Sequence, residues 1–342
     1  MTTSATPTPI DDEREHWLRI LRHNHGFVDP ERWVAYARSH GFRRVDAKPL
    51  KMCPDCGAVE SSSLGQYVYY STLLQLRLCG GCGLAYADAH IDPRIIETHF
   101  ETAYKDEQYF VQRREPVFHE VARLVDAHAP PVGKVIDIGG AKGHLLAAIQ
   151  SRRPDLALTL NDIAEAACAY ARTTYGFRTF HGSAGELGDV GERFDVILMI
   201  DVIYYEPDIR TLWQTVDRLS AERCTVILRV PDRIRLISMH RMLGALLGRE
   251  RRETQNAIPY FNPEHIYVFS KSYLWSRLKR LGFAEVEFLP SPSLRRPGLR
   301  GQLGSIYPRV ARLIQRATRS SATLTPSFIA VARRSSPLQP SE

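Results

Sequence analysis

Asp137, Gly139 and Gly143 stand in the run 135–149, VIDIGGAKGHLLAAI, where an apolar strand gives way to a glycine-rich turn and then to a helix opening at about His144. Glycines let such a turn tighten, and let a ligand approach the backbone without a Cβ in the way. Strand, turn and helix in that order are how a doubly wound α/β sheet presents a cofactor at the carboxyl ends of its strands. A second apolar run, 156–162, ends in Asp162. It lies about twenty residues past the turn, where a carboxylate can accept hydrogen bonds from both hydroxyls of a ribose. Asn161 is the neighbouring alternative. Together these residues point to an enzyme that holds a nucleoside-bearing cofactor.

Four cysteines carry a second chemistry. Cys53-Pro-Asp-Cys56 is followed by Gly57 and Cys79-Gly-Gly-Cys82 by Gly83, with twenty-two residues between Cys56 and Cys79. Two Cys-x-x-Cys knuckles, each trailed by glycine, form a zinc-ribbon signature: the knuckle converges two thiolates and the glycine turns backbone amides toward sulfur. A redox pair is the competing reading, but that chemistry uses a single Cys-x-x-Cys at a helix start. Structural Zn2+ on Cys53, Cys56, Cys79 and Cys82 is the expectation, with a rubredoxin-like iron as the residual one. The stretch 66–78 between the knuckles reads as strand material. Cys168 and Cys224 fall in a helix and an apolar strand and read as buried thiols.

The spacing of the turn selects among cofactors. A dinucleotide fingerprint needs Gly-x-Gly-x-x-Gly with its third glycine inside the helix. Here Asp137-Ile-Gly139-Gly-Ala141-Lys-Gly143 is spaced acidic-x-Gly-x-small-x-Gly. That resembles the first motif of the class I S-adenosylmethionine-dependent methyltransferases, with Ala141 where the family usually has glycine. Further stretches agree in order: 156–162 ending in Asp162, then His181-Gly-Ser183-Ala, then 194–208, FDVILMIDVIYYEPD. The resemblance covers residues 51–334 and extends to bacterial members with an N-terminal zinc ribbon. It implies that Asp137 and the loop around Gly139 and Gly143 hold the methionine half of S-adenosyl-L-methionine. It implies Asp162 at the ribose, and Ser183, where relatives often carry aspartate, at the adenine edge. It also implies Asp201 at cofactor or substrate, Tyr205 beside the acceptor, and an aromatic from the Tyr104–Tyr109 pair over the cofactor.

The implied architecture is a doubly wound, Rossmann-like α/β sheet of seven strands with an N-terminal helical segment and a small zinc-ribbon domain. The expected boundaries are a tail and short helices over 1–50, the ribbon over 51–92 and a connecting helix over 93–130. The methyltransferase domain follows over 131–334, with capping insertions at about 233–265 and 291–326, and a tail over 335–342. Strands are expected at 225–230, 284–289 and 327–333. Helices are expected at 112–127, at 271–281 capped by Ser270, and at about 305–319 as a basic amphipathic segment.

Methyl transfer requires an aligned acceptor, exclusion of water and, for a hydroxyl acceptor, a base. His265 titrates near neutral pH and is one candidate base, although it could equally anchor its loop through a backbone carbonyl. Tyr205 has too high an ordinary pKa to be a good base and better suits positioning. Packing is the default role for His144 and His181.

The 342 residues carry a net charge of +7, largely from arginines in the last third. Arginines 233, 235, 241, 249, 251 and 252 form either a solvated helix face or a site for an anionic acceptor. No run is long enough to span a membrane and the first residues lack a secretory pattern, which points to a cytoplasmic protein. The leading expectation is an O-methyltransferase for a small-molecule or saccharide-type acceptor. An RNA methyltransferase using the ribbon and basic surface is the alternative, but no Asn/Asp-Pro-Pro-aromatic motif and no Pro-Cys nucleophile follows the fourth strand. A non-catalytic scaffold with the same fold is a further possibility.

Overall fold

Parallel strands buried on both faces read as nearly continuous apolar runs, and 135–138 and 196–200 are such runs. In a computed structural model of the chain both become central strands. The structure describes residues 48–69, 72–90, 108–234, 265–295 and 325–334, with the single positions 96, 97, 100, 237, 306, 310, 311, 313, 314 and 317. The short helices expected within 1–50, Tyr104 and the side chain of Tyr109, most of the arginine-rich insertion and the tail over 335–342 lie outside them. Contacts divide the chain into two compact units, 1–95 with 233–268, and 96–232 with 269–342.

The first unit carries β1 (Lys48–Pro49), β2 (Ser61–Tyr69), β3 (Thr72–Cys79), β4 (Ala85–Ala87) and β5 (Ala89–His90). Antiparallel β2 and β3 form a hairpin from Ser61 opposite Cys79 to Tyr69 opposite Thr72, with a one-residue register shift between Ser63 and Gly65. The sequence marks 66–78 as strand material without showing this reversal, because Tyr70 and Ser71 carry no glycine or proline turn signal. The far end of the unit's sequence completes the sheet. Its strand Tyr267–Val268 is numbered β11 in chain order and pairs antiparallel with β4.

The second unit holds α1 (Gln108–His128), β6 (Lys134–Ile138), α2 (His144–Gln150), β7 (Ala157–Asp162), α3 (Glu165–Tyr175), β8 (Arg178–His181), β9 (Phe194–Ile200), α4 (Ile209–Leu219), β10 (Ser220–Pro231), α5 (Lys271–Arg280), β12 (Glu285–Pro290) and β13 (Ser327–Arg333). Its seven strands lie in the order β12-β13-β10-β9-β6-β7-β8. Pairing is parallel from β8 through β10, and β13 runs antiparallel between β10 and β12. The expected doubly wound seven-stranded sheet is present. Strand order reverses between β6 and β9, and such a switch point is where open α/β sheets bind ligands.

Residues alternate between the faces of the sheet. Val135, Leu158, Leu160, Val196, Leu198, Ile227, Ile329 and Val331 share one buried cluster with α1, α2 and α3. In α1, Val117, Val121, Leu124 and Val125 follow the i, i+4, i+7, i+8 stripe of a core-facing helix. The intervening Ile136, Ile197, Met199, Val226 and Leu228 are equally buried, which leaves the opposite face for α4 and α5. Those two helices are joined by a buried hydrogen bond from Trp213 Nε1 to Tyr273 Oη at 2.9 Å. Ser270 caps α5 as its sequence suggests, accepting from the Tyr273 amide at 3.1 Å.

Candidate active site

The glycine turn is held by a carboxylate as well as by its glycines. Gly139 adopts φ 68°, and a Cβ there would stand 2.2 Å from Val202 Cγ2, so only glycine fits. Gly143, at φ 82°, begins α2. Ala141 adopts φ 50° without being glycine, a conformation that costs roughly 1 kcal/mol. Its amide donates to Asp162 Oδ2 at 2.8 Å, and the Ala164 amide donates to Asp162 Oδ1 at 2.9 Å. Asp162 therefore holds the turn and the start of α3 together from the carboxyl end of β7. Asn161, the alternative ribose ligand, uses its Nδ2 on the carbonyls of Phe180 and Gly182.

Asp137 is buried beside this turn. Burial, reinforced by the charge of Asp162, raises its pKa to about 8. Ser183 donates from its amide to Glu186 Oε2 at 2.7 Å and from its hydroxyl at 3.1 Å. Glu186 thus places a carboxylate directly against Ser183. Packing roles hold for the two histidines nearby: His144 Nδ1 meets Tyr175 Oη at 2.7 Å and His181 Nε2 meets the Ile163 carbonyl at 3.1 Å.

After β9 the chain turns sharply at Asp201, φ 60°. The Asp201 carboxylate pairs with Arg229 Nη1 through both oxygens and with Arg114 Nη1 at 3.3 Å, while Arg229 Nε donates to Ser291 Oγ at 2.7 Å. A positive charge inside the run 225–230 needs such a partner; that was the one signal in the sequence for Arg229. Tyr205 packs edge-on against Phe100, with centroids 5.1 Å apart, and lies against Tyr204 at 4.6 Å. Glu206, which sequence reasoning passed over, is half-buried next to it. Burial raises its pKa to about 7, against hydrogen bonds from the backbone at Asp208 and Ala184 that hold it lower. The unit thus places two carboxyl groups with raised pKa at the carboxyl ends of its strands, Asp137 within the end of β6 and Glu206 on the loop after β9.

In the other unit, the four cysteine Sγ atoms lie within 4.8 Å of one another. Cys53 and Cys82 are 3.7 Å apart and Cys56 and Cys79 3.5 Å. Tetrahedral zinc with bonds of ~2.3 Å spaces its sulfurs by about 3.8 Å, so the cluster fits a closed four-thiolate site. Both knuckles turn through a left-handed glycine, Gly57 and Gly83, and the Cys82 amide points at Cys79 Sγ at 3.4 Å. His265 belongs to this unit, where its carbonyl accepts from Tyr67 Oη at 2.9 Å and the residue is 3% exposed. Cys168 and Cys224 are fully buried, matching their reading as core thiols.

Fold and site together define a doubly wound α/β enzyme built to hold a nucleoside cofactor at its switch point. A family model described as a methyltransferase domain matches residues 109–287, more than half of the chain. The chain belongs to that family and is an S-adenosylmethionine-dependent methyltransferase. Among solved structures it is similar to an S-adenosylmethionine-dependent methyltransferase from Archaeoglobus fulgidus, at 14% identity and TM-score 0.46 over 68% of this chain and 100% of that one. It is also similar to an O-methyltransferase family protein from Burkholderia thailandensis, at 15% identity and TM-score 0.45 over 71% and 63% of the two chains. A third is the plantazolicin methyltransferase BpumL in complex with S-adenosylhomocysteine, at 14% identity and TM-score 0.43 over 69% and 89%. No curated protein matches the sequence. Among the described residues no helix is long and apolar enough to cross a membrane.

Proposed function

We propose that this methyltransferase acts on a hydroxyl of a small-molecule or saccharide-type acceptor, in the cytoplasm, with a structural zinc on Cys53, Cys56, Cys79 and Cys82. The observation that carries O-methylation is Glu206, a carboxyl group poised near neutral pH on the loop that follows β9. A hydroxyl acceptor must lose a proton as its oxygen forms the new carbon–oxygen bond, and a base with pKa near the working pH serves best. S-adenosyl-L-methionine supplies an activated methyl group on a sulfonium, which leaves as a neutral thioether.

The chain's own residues would do the rest. The backbone at Gly139 and Gly143 leaves room for close approach to the methionine half, and Asp137 lies beside it. Asp162 receives the ribose hydroxyls on lone pairs not used by the Ala141 and Ala164 amides, and Ser183 with Glu186 meets the adenine edge. Tyr205 positions the acceptor. Asp201 contributes by pinning the turn after β9 through Arg229 rather than by touching the cofactor. Between the two roles open to His265, its burial favours a structural one.

The test is a labelled-methyl transfer screen followed by a pH profile on the acceptor it finds. With wild type, kcat should rise through about pH 7, because only the ionised carboxylate accepts the proton. Glu206→Gln should remove that rise and lower kcat about a hundredfold with S-adenosylmethionine affinity kept. An unchanged profile would remove Glu206 from the chemistry. Transfer to RNA bases alone would overturn the acceptor class.

A further inference from the structure

The glycine turn and the loop after β9 meet at Val202. A Cβ on Gly139 would stand 2.2 Å from Val202 Cγ2 and 2.8 Å from Val202 Cβ, so the valine fills the space that the glycine leaves open. Toward β7 the same turn is held by hydrogen bonds, from the Gly140 amide to the Asn161 carbonyl at 3.0 Å and from the Ala141 amide to Asp162. Toward β9 it rests on this apolar contact. Val202 is itself fixed from both ends. Before it, Asp201 adopts φ 60°. The Asp201 amide donates to the Arg229 carbonyl at 3.1 Å and its carboxylate pairs with the Arg229 side chain. A non-glycine residue at positive φ persists only where its surroundings over-determine it, and Arg229 does so here. After it, the Val202 carbonyl accepts from the Tyr205 amide at 2.9 Å, and Ile203 and Tyr204 are buried. Val202 is half-buried, and β-branching leaves it few rotamers. It is therefore a spacer of fixed length on a pinned backbone.

We propose that Val202 is a positioning residue for methyl transfer, setting the distance between the cofactor turn and the loop that carries Tyr205 and Glu206. The inference rests on the reading that this loop meets the acceptor, and not on which acceptor that is. In the transfer, a lone pair of the acceptor forms the new bond to the methyl carbon while the carbon–sulfur pair returns to sulfur. The three atoms must lie in line, and a misplacement of about 1 Å costs about a hundredfold in rate. Removing the two valine methyls breaks no hydrogen bond in either loop. It frees only the separation between them, which is the quantity the reaction depends on.

Hydrogen exchange of the full chain with S-adenosylhomocysteine tests the contact without an acceptor. In wild type the ligand should slow exchange at the amides of 139–141 and also across 202–206. Val202→Ala should keep the first effect and lose the second. With the acceptor found by the methyl-transfer screen, Val202→Ala should lower the single-turnover rate about ten- to a hundredfold. Its S-adenosylmethionine affinity by calorimetry and its melting temperature should stay close to wild type, because the bonds toward β7 remain. Val202→Thr keeps the branched shape and should restore both the protection and the rate. A role confined to packing would lower the melting temperature and leave the rate alone. The inference is overturned if the ligand leaves 202–206 unprotected in wild type, if Val202→Ala keeps that protection, or if its single-turnover rate matches wild type. Should Tyr205→Ala and Glu206→Gln both leave acceptor KM and kcat unchanged, the loop does not meet the acceptor and the functional reading falls, whatever the exchange result.

Discussion

The cysteine cluster and the glycine turn are both small loops held in demanding geometry, and the two units hold them by opposite means. Around the cysteines, a four-stranded sheet and two glycine-ended knuckles leave four sulfurs converging on one point. A metal bound there would satisfy four thiolates at that distance, and part of the folding free energy would then lie in the ligand. Around the glycine turn, a seven-stranded sheet with helices on both faces supplies the core, and the buried Asp162 carboxylate ties the loop down. A large core can carry local costs: a left-handed alanine, a positive-φ aspartate and a buried acid. A small sheet has less core for this, and a metal on the four sulfurs would compensate.

The largest effect should come from the metal side. Cys53→Ser should lose about one zinc per chain by elemental analysis and expose the first unit to proteolysis at lower temperature. A wild-type protein free of metal would remove the contrast altogether. Next, Asp162→Ala takes away both the proposed ribose acceptor and the tether of the turn. S-adenosylmethionine affinity measured by calorimetry should fall by about 2–3 kcal/mol, while melting changes less than in the cysteine variant.

Asp137 offers a subtler test. Its folded pKa of about 8 lies above the ordinary 3.8, so the folded state keeps a proton that the unfolded chain releases. Its contribution to stability is complete at acid pH and is lost as pH rises toward 8, at up to about 1.4 kcal/mol per pH unit. Asp137→Asn should flatten the melting temperature between pH 5 and 8. A wild-type profile already flat there would place the acid in a wetter setting. The smallest change should follow Ala141→Gly. It relieves the left-handed strain but frees the unfolded chain, for a net gain below about 1 kcal/mol, visible as a slight rise in melting temperature.

Much of the second unit was legible because buried parallel strands announce themselves as apolar runs and because Asp137 and Asp162 stand at or near strand ends. The run 327–333 coincides with β13, and 156–162 differs from β7 by one residue. Interactions between distant residues were not legible. Arg229 could be seen as a charge in an apolar strand, but its partner Asp201 and the bond to Ser291 depend on strand order. Glu206 was hidden by its setting, since Glu-Pro-Asp reads as an ordinary turn leading to the α4 cap at Asp208. The return of β11 to the cysteine sheet joins residues that lie far apart in sequence, and the bond from Tyr67 to the His265 carbonyl could not be read from either stretch alone.

The antiparallel strand β13 has a consequence for how this protein comes into being. It is an inner strand, paired to β10 from Thr225 opposite Arg333 and to β12 on its other side. During synthesis the sheet therefore waits with an open seam beside β10 until almost the last residues described have left the ribosome. Non-local pairing of this kind is slow and leaves strand edges unprotected meanwhile. A nonsense mutation upstream of Ser327 would remove a central plank of the sheet rather than trim an end, and the nascent chain would be a client for chaperones.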